Sequence, residues 1–161
     1  MPSLINHEAV LENNLTVISN IENGLPSGNA LVEFNVWLEN KDQLDQKENI
    51  SFYLSGDTDL EQVKPYLGSV SIIGINFPAF ADGRGYSLAR LLKERYDYKG
   101  EVRAIGDVLI DQLYFMKRCG FDTFEIKDNL NPEKALSYLA TFAEPYQLAF
   151  DKKEPLFRRN V

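Results

Sequence analysis

Six residues, Asp82-Gly83-Arg84-Gly85-Tyr86-Ser87, bring an acid, two glycines, a guanidinium and a hydroxyl to the point where a helical pattern begins. That combination suits an anion. The first N–H groups of a helix lack intrahelical partners, and the helix dipole adds positive potential there. Gly83 and Gly85 permit close approach of the backbone, and Ser87 offers a hydroxyl at the helix start. Arg84 contributes a planar fork of donors that matches sulfite, sulfate or phosphate. The plainer alternative is an ordered turn in which Asp82 pairs with Arg84 and Ser87 acts as a helix cap. From Asp82 to Arg103 six basic residues stand against four acids, so the segment is locally positive and Arg103 joins the candidate anion site.

A second group lies in "RAIGDVLIDQ", which places Arg103, Asp107, Asp111 and Gln112 around the end of a strand. Asp107 falls just past that strand, on the rim expected to carry Asp82. Two carboxylates on one rim can divide acid and base work, which makes Asp82 and Asp107 the candidate catalytic pair. The competing reading gives Asp107 or Asp111 to a helix cap, a common structural role.

Other chemistries find little to work with. "GRGYSL" supplies the first two glycines of a dinucleotide fingerprint, but Leu88 stands at the third, and about six residues separate it from the preceding strand, where the fingerprint needs a tight turn. A Walker-type phosphate loop is absent. The single cysteine, Cys119, cannot form a disulfide within the chain, hold an iron–sulfur cluster or build a cysteine zinc site. It sits near a helix C-terminus, whose negative potential raises a thiol pKa, so it reads as a buried structural residue. His7 is the only histidine and Trp37 the only tryptophan, the latter a core or interface anchor. No cofactor and no metal are expected.

These residues need a frame. The chain has 161 residues, 44% of them hydrophobic and 25% charged, which suits one soluble α/β domain over 1–161. A net charge of −7 argues against nucleic acid or an anionic membrane as the main partner. The start carries no basic and apolar leader, and no apolar run reaches the ~20 residues that cross a bilayer. A cytoplasmic location is expected.

From Ile50 strand and helix patterns alternate. "ISFYLSG", "SVSIIGINF", "GEVRAIGDV" and "FDTFEI" read as strands. Between and after them come "LEQVKPYL", capped by Asp59 and shortened by Pro65, "SLARLLKERY", "IDQLYFMKRCG" with Gly120 at C′, and "NPEKALSYLATFA" with Asn131 as N-cap and Pro132 at N1. About four β-α units predict a mainly parallel sheet, half-barrel-like or open and layered. In either case function belongs at the carboxyl ends of the strands. Residues 1–30 read as irregular or β, with "LTVIS" a candidate strand. "ALVEF" could be extended or could open a helix near Asn35. The tail from Tyr146 to Val161 is apolar enough to pack on the domain or on a partner subunit, so a homodimer is one expectation.

The strings "FPAFADGRGYSLARLL", "GEVRAIGDVLIDQLYFMKRCGFDTFE" and "YQLAF" with the later "PLFRR" resemble the small bacterial DUF934 family, from about Phe77 to the C-terminus and more loosely at "VWLENKDQL". The family pattern falls on Phe77, Pro78, Phe80, Asp82 through Ser87, Ala89 and Arg90. In the second block it falls on Arg103, Gly106, Asp107, Asp111, Gln112 and Arg118 through Asp122. The resemblance implies a probable oxidoreductase or an accessory protein of assimilatory sulfite reduction, with a sulfite reductase hemoprotein as partner. The chain itself displays no ligand set for carrying electrons. The alternatives are an enzyme acting on a small phosphorylated or sulfonated substrate at the rim, and a homodimeric scaffold without chemistry.

Overall fold

Six strands succeed one another in the chain and pair side by side in that same order. They are β3 (Thr16–Ile18), β4 (Ala30–Glu33), β5 (Ile50–Leu54), β6 (Ile72–Phe77), β7 (Glu101–Gly106) and β8 (Thr123–Ile126), and every pairing among them is parallel. Two further short strands extend the sheet in antiparallel fashion, β1 (Ser3–Ile5) on β8 and β2 (Val10–Leu11) on β1. The sheet order is β2-β1-β8-β7-β6-β5-β4-β3. The computed structural model describes residues 2–24, 26–44, 47, 49–78 and 83–141. The expected C-terminal tail, 146–161, lies outside the described residues, as do Phe80 and Asp82.

Parallel neighbours need crossovers, and helices supply them. Helix α1 (Phe34–Glu39) and α2 (Lys41–Leu44) come after β4, α3 (Leu60–Val63) after β5, α4 (Arg84–Glu94) after β6, α5 (Leu113–Cys119) after β7 and α6 (Pro132–Thr141) after β8. Among the described residues there are thus five strand–helix units where the sequence suggests about four. The extra unit is β4–α1, whose strand runs into its helix without a turn. Glu33 is both the last strand residue and the N-cap, its carboxylate accepting from Val36 N at 3.1 Å. No glycine or proline marks that boundary in the sequence, and Asn35 lies just inside the helix.

The N-terminal segment, expected to be irregular or β, contributes β1, β2 and β3. The first two are too short to show a period of two.

Uniform right-handed crossovers put all the helices on one face. Residue alternation agrees. Val32, Phe52, Leu54, Ile73, Ile75, Val102, Ala104 and Phe124 face the helices and join Trp37, Val63, Leu88, Leu92, Met116 and Leu139 in the main core. The other face carries a separate small cluster, Leu15, Leu31, Tyr53 and Ile105, with no helical member.

The sheet is curled around that second face in a half-barrel-like form. The edge strands β2 and β3 are joined by only Glu12–Leu15. A flat sheet of this many strands would be about 33 Å wide at about 4.8 Å per step. Four linker residues reach at most about 18 Å, so the edges must bend towards each other. The linker also fills the interior: Leu15 joins the inner apolar cluster, and Asn13 Nδ2 donates to Glu125 Oε2 at 3.3 Å and to Pro2 O at 2.9 Å.

Local signals act where the sequence places them. Asp59 accepts from Glu61 N at 3.0 Å, and Pro65 turns the end of α3 into a 3-10 turn, Lys64–Tyr66. Asn131 Oδ1 accepts from Glu133 N at 2.8 Å ahead of Pro132. Gly120 ends α5 with φ +111. Among the described residues no helix is long and apolar enough to cross a membrane.

Candidate functional site at the carboxyl ends of the strands

The rim is built from the segments that leave β5, β6, β7 and β8. After β5 the chain turns at Ser55–Asp59, where Ser55 Oγ donates to Asp57 Oδ1 at 2.6 Å and Thr58 Oγ1 accepts from Ser55 N at 3.1 Å. Strand β6 ends at Phe77 and is followed by Pro78, and α4 starts with Gly83 at the N-cap position and no side-chain cap. Asp82, one of the two candidate acids, lies outside the described residues.

Arg84 is the first residue of α4. Its side chain crosses to the β5 turn and lies over Gly56, so close that a Cβ on Gly56 would stand 2.9 Å from Arg84 Cβ and 3.0 Å from Nε. The glycine clears a channel for the guanidinium stem. Gly83 has open space where a Cβ would be. Gly85 is buried, and its missing Cβ makes room for the Phe77 ring, whose nearest carbons would be 2.7 Å away. Gly85 therefore seats α4 on the end of β6. Ser87 is the fourth residue of α4 and exposed, inside the first turn and past the cap position.

Asp107 is held from two directions. Its backbone N donates to Phe77 O at 2.7 Å, and its carboxylate forms an ion pair with Lys127, just beyond β8. The kink that delivers it is Gly106, with φ +91. Arg84 thus reaches towards β5 while Asp107 reaches towards β8. Asp111 lies in a 3-10 turn, Ile110–Gln112, capped by no side chain.

Above this rim the first turns of α4 and α5 meet through aromatic rings. Tyr86 packs on Phe77 at 5.2 Å and, edge-on, against Phe115 at 4.9 Å. Burial, helped by Cys119 and Asp111, pushes the Tyr86 phenol up, so it stays protonated. Phe115 is 52% exposed, the most exposed large apolar side chain among the described residues, with Leu91 of α4 also exposed.

Arg103 sits elsewhere. It is the third residue of β7, on the inner face near the amino ends of the strands, and only 5% exposed. Its Nε and Nη2 both donate to Glu101 Oε1, at 3.0 and 2.9 Å, and Thr123 Oγ1 donates to the same oxygen at 2.5 Å. The strand's period of two carries the signal for this: Glu101, Arg103 and Ile105 share one face, Val102 and Ala104 the other. Gly56 and Lys127, which the sequence places at strand ends without a chemical role, are the residues that receive Arg84 and Asp107. Their partners are distant in the chain and only the parallel order of β5, β6, β7 and β8 brings them together.

Cys119 is buried, as its position implies. His7 Nε2 is 3.0 Å from Phe121 O. Among the described residues no three His, Cys, Asp or Glu side chains come together to hold a metal ion.

Comparison with curated proteins and with solved structures finds no match. The family model described as a bacterial protein of unknown function, DUF934, matches residues 51–157, a span that begins in β5 and takes in every rim element described above. On that match the chain belongs to the DUF934 family.

Proposed function

We propose that the protein is a non-catalytic accessory component of assimilatory sulfite reduction that docks on a sulfite reductase hemoprotein and binds a small oxyanion at the carboxyl-end rim. The observation that carries this reading is the combination at one rim of an arginine opening an eleven-residue helix and an exposed aromatic surface. Arg84 sits where the helix dipole disfavours a cation by roughly 0.3–1 kcal/mol unless negative charge lies close by. Phe115, backed by Tyr86, is the type of half-exposed ring that anchors protein interfaces. The association with sulfite reduction rests on the family resemblance of "FADGRGYSLARLL" and "GEVRAIGDVLIDQ".

An enzyme at the same rim would need Arg84 and Asp107 on one substrate. Arg84 lies over the β5 turn and Asp107 is tied to Lys127 after β8, so the two described candidates diverge along the rim. That favours binding over proton transfer.

The test has two arms. Tagged full-length protein from cells growing on sulfate should enrich a sulfite reductase hemoprotein, and Phe115→Ser should abolish the enrichment. Calorimetric titration with sulfite should show binding that Arg84→Lys weakens about tenfold, since lysine keeps the charge and loses the fork. No enrichment by wild type removes the partner; equal sulfite affinity in both proteins removes the anion site.

A further inference from the structure

We infer that the opposite end of the curled sheet, its amino-terminal mouth, is a second binding site, for a small oxyanion or carboxylate. Two adjoining cavities form it. The smaller, about 140 Å³, is lined by Arg103 together with Asn29, Asn49 and Ser71, the residues that stand immediately before β4, β5 and β6. The larger, about 440 Å³, is lined by Trp37 and Lys47. Ser51 and Ser71 line both, so the cavities share a wall.

The buried donors indicate what belongs there. Arg103 Nη1 and Trp37 Nε1 have no hydrogen-bond partner among the described residues, although Arg103 is 5% and Trp37 1% exposed. A buried donor left unsatisfied costs about 1–3 kcal/mol, and native proteins rarely tolerate it. Glu101 occupies the Nε and Nη2 edge of Arg103 and leaves Nη1 unmet. Both orphaned groups are donors, Arg103 on the inner face and Trp37 on the helix face, so each of the two cavities lacks an acceptor.

Charge points the same way. The chain carries −7, yet the charged residues among the described lining of these two cavities are Lys47 and Arg103, and the carboxylate paired with Arg103, Glu101, lies outside that lining. The remaining polar lining is hydroxyl and amide, able to turn donors inward. The volume of the smaller cavity matches four or five waters at about 30 Å³ each. That suits an acetate-, phosphate- or sulfate-sized ion.

The chain has one tryptophan, so ¹⁵N-labelled full-length protein gives one indole resonance, from Trp37. Sodium sulfate, phosphate and acetate are titrated against sodium chloride at matched ionic strength. The expected result is a saturable shift of the indole signal with at least one oxyanion and none with chloride, the acetate arm separating carboxylate from tetrahedral ligands. Ser71→Phe, at an exposed position common to both cavities, should weaken binding about tenfold or more with the melting temperature retained. Asn49→Leu, also exposed, serves if that variant fails to fold. Arg84→Lys should leave the indole titration unchanged, which separates this site from the carboxyl-end rim. A shift that is absent or linear with every anion means that water alone serves these donors and overturns the proposal. Insensitivity to the mouth variants, or loss of the shift in Arg84→Lys, overturns it equally.

Discussion

Arg84 and Gly56, 28 positions apart, form one unit: the arginine side chain passes through the space that a Cβ on Gly56 would occupy. Gly56 has no positive φ, so alanine suits its backbone and the conflict is purely steric. Gly56→Ala should displace the guanidinium at a cost of about 1 kcal/mol, within the range for mild overpacking. Its sulfite affinity should fall as far as that of Arg84→Lys. Circular dichroism and calorimetric titration measure the two quantities, and a variant with unchanged affinity would detach the Gly56 contact from anion binding.

Gly106 aims Asp107, and alanine there meets two obstacles. The backbone has φ +91, and a Cβ would be driven into Asn76 Oδ1 and to 2.5 Å from the Phe77 carbonyl oxygen. Gly106→Ala should lose about 2–4 kcal/mol in chemical denaturation, backbone strain and clash together. A loss below about 1 kcal/mol would mean that the chain relaxes after β7 with little strain. Gly85→Ala offers a contrast. Helix propensity alone would gain about 1 kcal/mol, but the Phe77 ring is in the way, so the variant should be destabilised.

The elements legible in the sequence are those fixed by neighbours in the chain. Asn131-Pro132, Gly120 and Asp59 act within three or four residues of where they stand, and local spacing is enough to place them. Strands β5, β6, β7 and β8 are long enough and apolar enough to declare themselves. The rest depends on distant pairing. Strand β1 exists because Ser3–Ile5 meets Thr123–Ile126 far along the chain, and three residues carry no period of their own. Arg103 groups with Arg84 in the sequence because both lie in one basic stretch. The strand register places one on the inner face and the other on the rim. Phe77 and Gly85 show the same limit: a glycine suited to ligand approach is equally suited to a ring packed on it, and only the fold distinguishes the two.

Glu125 gives the fold a pH dependence with a defined sign. It is 9% exposed on the inner face, and burial raises its carboxyl pKa despite the hydrogen bond from Asn13 and the charge of Arg103. A carboxyl whose folded pKa exceeds its unfolded value binds its proton more tightly in the native state. Its contribution is therefore most favourable in acid and is lost as pH rises from the unfolded pKa through the folded one. At neutral pH the ionised group is a cost. Glu125→Gln keeps an acceptor for Asn13 and removes that cost, so the variant should melt higher than wild type at pH 7. The difference should vanish as pH falls below the normal carboxylate range. A variant that melts lower at pH 7 would show that the Arg103 and Asn13 interactions outweigh burial.

Lys93 closes the opposite end of α4. Its Nζ lies 2.7 Å from Asp122 Oδ2 and donates to Gly100 O at 3.1 Å, with a side chain only 10% exposed. The same carboxylate oxygen accepts from Val102 N at 2.9 Å, and Asp122 N donates to Val102 O at 2.8 Å. One ion pair therefore ties the last turn of α4 to the starts of β7 and β8. It also places a cation at the negative end of the helix. An exposed pair would contribute at most about 1 kcal/mol, but the cation here is buried and shared with a carbonyl, so its removal should exceed that. Lys93→Met preserves the packed stem and should cost about 1–2 kcal/mol in denaturant unfolding. Asp122 keeps its bond to Val102 and enough exposure for water to replace the ammonium. Asp122→Asn keeps one oxygen acceptor but removes the countercharge of a buried ammonium and should cost about as much. In the double variant the penalties should overlap, giving a coupling energy of about 1 kcal/mol that changes little between low and moderate salt. Strict additivity of the two substitutions would mean that the pair is incidental and that packing alone fixes the end of α4.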